Sequence, residues 1–158
     1  MNKISLDIDK DNSSECFQVK FKDGVAHIIL NRPEKRNSMN WSFWKDLPKL
    51  VEEIDHNALA KCIVISSTGP VFSSGLDLSL FGDSVFASSE EVQEKDKELH
   101  KPQLFMHFLA FLQDSISSLQ KSRVPVICAI QGACIGGGVD LVCAADIRLA
   151  TKDAFFCI

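Results

Sequence analysis

Two glycine-rich stretches of this chain have the residue types and spacing that could do chemistry. The first is Phe72-Ser73-Ser74-Gly75-Leu76-Asp77-Leu78, where Gly75 can adopt backbone angles that other residues resist and so turn neighbouring amides outward. The second is Gly132-Ala133-Cys134-Ile135-Gly136-Gly137-Gly138-Val139-Asp140, a glycine-rich turn running into a helix start whose unpaired N–H groups and dipole favour negative charge. Two such turns facing one another would clamp an oxyanion as it develops on a carbonyl. Loss of one donor from such a hole costs about 10²–10³ in rate, so paired backbone amides can supply much of a catalytic effect without a nucleophile. Asp140 stands one helical turn beyond Gly137, from where its carboxylate can point into the same cavity.

The same residues also have a purely structural reading. Glycines at a strand–helix junction serve close packing, and an Asp in a first helical turn is stabilising without reacting. Gly132, Gly136, Gly137 and Gly138 do not fit the G-x-G-x-x-G of a dinucleotide turn, and no G-K-[ST] follows as in a P-loop. His27, His56, His100 and His107 are scattered, with no Ser or Cys nucleophile motif nearby, so no triad is assigned. Cys16, Cys62, Cys128, Cys134, Cys143 and Cys157 form no CxxC pair and read as reduced core thiols, with no metal site and no disulfide.

The elements that must position these groups follow from hydrophobic periodicity. Phe17, Val19 and Phe21 alternate with polar residues, Asp23-Gly24 marks a turn, and Val25 to Leu30 is a second apolar run, together a β-hairpin. From Asn40 to Asp55, Trp41, Trp44, Leu47, Val51 and Ile54 recur at helical steps, placing both tryptophans in the core of a helix that must accommodate Pro48. Cys62 to Ser66 reads as a buried strand and Phe72 to Leu78 as a loop. Ser88 to His100, with Glu90, Glu91, Glu94, Asp96 and Glu98 among lysines, reads as a mobile or solvated stretch. A helix then runs to Lys121 on a stripe of Leu104, Phe108, Phe111, Leu112, Ile116 and Leu119. Val126 to Ile130 is a buried strand, Val139 to Ala145 lies in a helix opened by Gly136-Gly137-Gly138, and Ile147 to Leu149 is a last strand.

Composition bounds the class. A chain of 158 residues with 46% hydrophobic and 24% charged residues builds one α/β domain with a sizeable core. The net charge of −4 argues against a nucleic-acid partner, and no apolar run approaches the ~20 residues of a membrane span. Met1 to Asp11 mixes lysines with aspartates and shows neither a secretory signal nor the acid-poor character of a transit peptide. The chain stops at Ile158 within an apolar run, which reads as a fragment.

From about Phe17 onward the sequence resembles the crotonase superfamily of enoyl-CoA hydratases and isomerases. Three motifs carry the likeness: Leu30 to Met39 (LNRPEKRNSM), Phe72 to Leu78, and Ile130 to Asp140. Within the superfamily, Cys134 to Leu141, Asp146-Ile147-Arg148 and Asp153 to Phe156 are similar to the Δ3,5-Δ2,4-dienoyl-CoA isomerases, whereas a hydratase would carry Glu where Asp140 stands. The resemblance implies a spiral of β-β-α units truncated before its C-terminal helical region, with residues 1–16 an extension and 17–158 an incomplete core domain.

The resemblance further implies an acyl-CoA thioester as substrate, with coenzyme A as the substrate's handle and no separate cofactor. The N–H groups of Leu76 and Gly137 would hold the thioester oxygen, and Asp140 would be one active-site carboxylate. Ser74, Gly75, Leu76, Asp77 and Leu78 would line the pantetheine and adenine path, and Lys35 and Arg36 would meet a CoA phosphate. The Glu and Asp that shuttle protons in the family would fall beyond Ile158, which makes the 158-residue piece inactive alone. The parent would be a homotrimer or homohexamer of β-oxidation, in the peroxisome or mitochondrion. Hydration of a 2-enoyl-CoA, or acyl-CoA binding and assembly without catalysis, are the alternatives.

Overall fold

The computed structural model describes residues 6–8, 12–81 and 94–158. Its first strand, β1 (Asn12–Ser13), pairs antiparallel with β2 (Phe17–Lys22), so the sheet begins inside the stretch set apart as an extension. β2 and β3 (Val25–Leu30) form the expected hairpin; Lys22 faces Val25 across Asp23 and Gly24, both at positive φ, the geometry that an Asp-Gly pair favours. Helix α1 (Trp41–His56) then crosses to β4 (Cys62–Ser67), which lies parallel to β3. Asn40 caps α1 by accepting from the Phe43 N–H at 3.1 Å, and the helix continues unbroken through Pro48.

Helix α2 (Glu94–Lys121) leads to β5 (Val126–Ile130), β6 (Ala133–Ile135), α3 (Gly137–Cys143), β7 (Ile147–Ala150) and β8 (Phe155–Cys157). The main sheet runs β1-β2-β3-β4-β5-β7, antiparallel through β3 and parallel beyond it, and β6 with β8 forms a small parallel sheet. Ala26, Ile28 and Leu30 of β3, Ile63 and Ile65 of β4, and Val126, Cys128 and Ile130 of β5 bury one face of the main sheet. The core also takes Phe43, Trp44, Leu47, Leu50, Val51 and Ile54 from α1.

Four expectations need correction. Trp41 is not core: as the first residue of α1 it is half exposed and stacks on Phe111 of α2, with ring centroids 4.9 Å apart. Helix α2 begins at Glu94, so 94–100 are helical, and Leu104 of its expected stripe is 43% exposed. Residues 88–93, with Glu90 and Glu91, lie outside the described residues. β6 and β8 were not foreseen, because three-residue strands hold too little alternation to register. Cys143 and Cys157 are exposed; all six thiols are free, and burial raises those of Cys16, Cys128 and Cys134 to about 11 or 12.

The segment between β3 and α1 is a clamp. Buried Asn37 donates to the Thr68 and Val71 carbonyls at 2.8 and 2.9 Å and accepts from the Arg32 N–H at 2.8 Å, tying the clamp to the turn after β4. Arg32 donates through Nη1 to the Ser38 carbonyl and to Asp77. Burial works against the Asp77 charge, but hydrogen bonds from the Ser79 hydroxyl and N–H, Ser38 and Arg32 outweigh it and hold the carboxyl at about 2.

Two outcomes follow from the clamp. Asn37→Ala leaves three backbone groups without their partner, at about 1–3 kcal/mol each before water compensates, so chemical denaturation should show a loss of at least about 2 kcal/mol. Asp77 titrates lower in the folded chain than in the unfolded one, so its stabilisation is full above the ordinary value of 3.8 and disappears as pH falls through about 2. The melting temperature of the wild type should therefore exceed that of Asp77→Asn near neutral pH, and the two curves should converge toward about pH 2.

Candidate active site

The loop from Ser73 to Asp77 is stitched to the fold on both sides. Toward the small sheet, Ser73 donates its N–H to the Ala133 carbonyl at 3.2 Å and accepts from the Ile135 N–H at 2.9 Å. Toward the clamp, the Ser74 N–H donates to the Arg36 carbonyl, the Met39 N–H donates to the Gly75 carbonyl at 2.8 Å, and the Asp77 N–H donates to the Met39 carbonyl at 3.0 Å. The Gly75 N–H donates to the buried Ser73 hydroxyl, which itself donates to the Asn37 carbonyl. The N–H groups of Ser73, Ser74, Gly75 and Asp77 are thus engaged, and that of Leu76 has no acceptor among the described residues. Because Met39 takes the groups flanking Leu76, the Leu76 N–H faces the other way.

The start of α3 lies next to this loop, against Gly75. Gly136 donates its N–H to the Cys157 carbonyl, and the Val139 and Asp140 N–H groups fold back onto the Gly136 carbonyl. Gly137, the first residue of α3, has no acceptor for its N–H among the described residues, as the opening turn of a helix requires. A β-carbon at Gly75 would lie 2.6 Å from the Ile135 carbonyl oxygen and 3.1 Å from the Gly137 nitrogen, and Gly75 has φ +81°; both facts demand glycine there. The two glycine-rich stretches are therefore in contact.

Leu76, Gly137 and Asp140 line one cavity of about 500 Å³, walled by Trp44 of α1 and by Leu112 and Ile116 of α2. Its lining is more apolar than polar, and Gln113, Ser117, Gln120 and Asp140 bring polar side chains to it. Asp140 is exposed at the surface of this cavity, and Cys143, one turn further along α3, lines it too. Among the described residues no group of three or more His, Cys, Asp or Glu could hold a metal ion, and no helix is long and apolar enough to cross a membrane.

The other site residues named from sequence lie around this centre. Ser74 and Gly75 act through their main chain, and the Asp77 carboxylate is taken up by Arg32, Ser38 and Ser79 within the clamp. Leu78 is 81% exposed where a 3₁₀ turn (Leu78–Phe81) begins. Lys35 and Arg36 are exposed on the clamp, beside Ser74 through the Arg36 carbonyl. Sequence reasoning missed the cavity walls, since a stripe such as Leu112 and Ile116 reads the same whether it faces a core or a cavity.

The chain is 39% identical over 148 residues to the mitochondrial Δ(3,5)-Δ(2,4)-dienoyl-CoA isomerase of Mus musculus, a match covering 92% of the chain and 43% of that protein. It is also 39% identical to the peroxisomal isomerase of that name from Arabidopsis thaliana, over 91% of the chain and 50% of the relative. A Thermobifida fusca protein solved in complex with acetoacetyl-CoA superposes with a TM-score of 0.71 at 27% identity, over 89% of this chain and 52% of that one. The architecture is crotonase-like, and the chain spans about half the length of the proteins it matches. Residues 20–158 match the sequence profile of enoyl-CoA hydratases and isomerases, so the chain belongs to the enoyl-CoA hydratase/isomerase family.

Proposed function

We propose that the protein carrying these residues isomerises 3,5-dienoyl-CoA to 2,4-dienoyl-CoA through a dienolate held by the Leu76 and Gly137 amides. One observation carries the reading: Leu76 and Gly137, from separate elements and with N–H groups that have no acceptor among the described residues, line the same cavity as Asp140. A base removes a proton from the carbon next to the thioester, the electron pair spreads through the diene onto the thioester oxygen, and an acid returns a proton further along. No redox step and no cofactor are needed. The two amides stabilise the oxygen's developing charge, the effect that typically dominates such reactions. Asp140 is one active-site carboxylate, and a carboxylate that assists a proton transfer contributes about 10²–10⁴. The printed names of the mouse and Arabidopsis relatives support isomerisation, and the acetoacetyl-CoA bound to the Thermobifida neighbour supports a CoA thioester as ligand.

In this reading the main chain from Ser74 to Leu78 borders the pantetheine and adenine path, with Lys35 and Arg36 beside it for a CoA phosphate. Asp77 serves the path by holding the loop rather than by touching the ligand. The assembly is a homotrimer or homohexamer, and the compartment is one of the two that the relatives' names give, mitochondrion or peroxisome.

The deciding experiment supplies the whole protein with 3,5-dienoyl-CoA and, separately, with 2-enoyl-CoA, and identifies the products. Conversion to the 2,4-diene supports the proposal; 3-hydroxyacyl-CoA as the sole product overturns it in favour of hydration, and saturable binding without turnover leaves a binding role. Asp140→Asn should lower kcat by about 10²–10⁴ while changing acyl-CoA affinity little.

A further inference from the structure

Leu76 and Gly137 sit on different elements, yet one residue reaches both. Met39, fully buried, holds the two sides of Leu76 through its main chain, its N–H donating to the Gly75 carbonyl and its carbonyl accepting from the Asp77 N–H. Its side chain turns to the other half of the site: a β-carbon at Gly137 would stand 3.1 Å from the Met39 Sδ. The Met39 carbonyl accepts a second hydrogen bond, from the Trp44 indole N–H at 3.0 Å. The same Trp44 lays its six-membered ring under Gly137, with Cη2 and Cζ2 at 3.5 and 3.7 Å from that β-carbon position. Trp44 is fixed in turn by an edge-on contact with Phe43, the ring centroids 5.3 Å apart.

We propose that Met39 and Trp44 are positioning residues that together set the separation of the Leu76 and Gly137 amides, an inference that rests on the oxyanion reading above and extends it. The Met39 main chain fixes the height of the loop, while its thioether and the Trp44 ring form the floor on which the first residue of α3 rests. The indole N–H locks the two parts together. This gives a physical reason for tryptophan at position 44 rather than phenylalanine: the ring alone supplies the floor, but only the N–H ties the floor to the carbonyl that steadies the loop. It also gives a reason for glycine at position 137, since a methyl there would press on the Met39 thioether at 3.1 Å and force the floor to shift. Oxyanion donors act within a few tenths of an ångström, and a misplacement of about 1 Å costs about 100-fold, so a partial loosening of this unit should cost about tenfold.

The test reads the site without depending on overall stability. A saturated acyl-CoA labelled with ¹³C at the thioester carbonyl is bound to the protein, and the carbonyl stretch is followed by isotope-edited infrared spectroscopy. In the wild type, two donors lower the stretching frequency relative to the same thioester in water. Trp44→Phe should retain binding, with the dissociation constant within about threefold, yet lose about half of that lowering, and kcat should fall about tenfold with KM little changed. Trp44→Leu, which also removes the floor, should lose more. A second pair stands independently of the tryptophan: Gly137→Ala should diminish the lowering, and adding Met39→Ala, which clears the space the new methyl strikes, should restore part of it. Additive losses would mean that the Met39 side chain and position 137 do not act on one another. An undiminished lowering in Trp44→Phe, or additive losses in the Met39 and Gly137 pair, overturns this inference alone. A wild type that binds the thioester with no lowering overturns it together with the oxyanion reading beneath it.

Discussion

The site depends on how the main chain from Ser73 to Asp77 satisfies its hydrogen bonds. Buried N–H groups rarely go without acceptors, and here four of the five are engaged, toward β6 on one side, the clamp on the other, and the Ser73 hydroxyl between them. The Leu76 amide is left without an acceptor among the described residues because Met39 takes the groups on either side of it. A donor made in this way is rigid, since moving it means breaking ladder bonds to Met39 and Cys134 neighbours together. Rigidity is what separates a hole that stabilises charge in the transition state from a flexible loop that must first reorganise. The second donor arises more simply, from the opening turn of α3, and the side-chain-free surface of Gly75 allows the two to meet.

Several polar groups that look like ligand contacts in the sequence are spent on this rigidity. Asp77 is the clearest case: its carboxylate gathers Arg32, Ser38 and Ser79 and thereby pins the end of the loop. Asn37 does the same at the other end, satisfying three main-chain groups across the turn between β4 and the loop. Gly132 completes the arrangement from the turn between β5 and β6, where a β-carbon would stand 2.0 Å from the Pro70 carbonyl oxygen, at φ +59°. The charged and polar side chains around the two amides and Asp140 thus act on the backbone.

Much of this was legible in the residues. The Asp-Gly hairpin, the helix after Asn40, the buried strands and the two glycine-rich stretches all have local signals, in turn chemistry or in periodicity, and the structure places the stretches in contact as their chemistry suggested. What was not legible is non-local. The pairing of β6 with β8 joins segments some twenty residues apart that are too short to show alternation. Trp41 and Trp44 share a helical stripe, yet only Trp44 turns inward, because Trp41 opens the helix and meets α2 at the surface. Trp44, Leu112 and Ile116 read as core because an apolar side chain facing a cavity and one facing a packed interior leave the same pattern. The engagement of Asp77 by Arg32 spans two motifs that sequence treats separately.

The most direct measurement of the central claim is an experimental structure of the protein with an acyl-CoA thioester bound. The thioester oxygen is expected about 2.7–3.1 Å from both the Leu76 and the Gly137 nitrogens, with the Asp140 carboxylate facing the carbon next to the carbonyl. A thioester oxygen that meets neither amide, or meets one of them while the other points elsewhere, would contradict it.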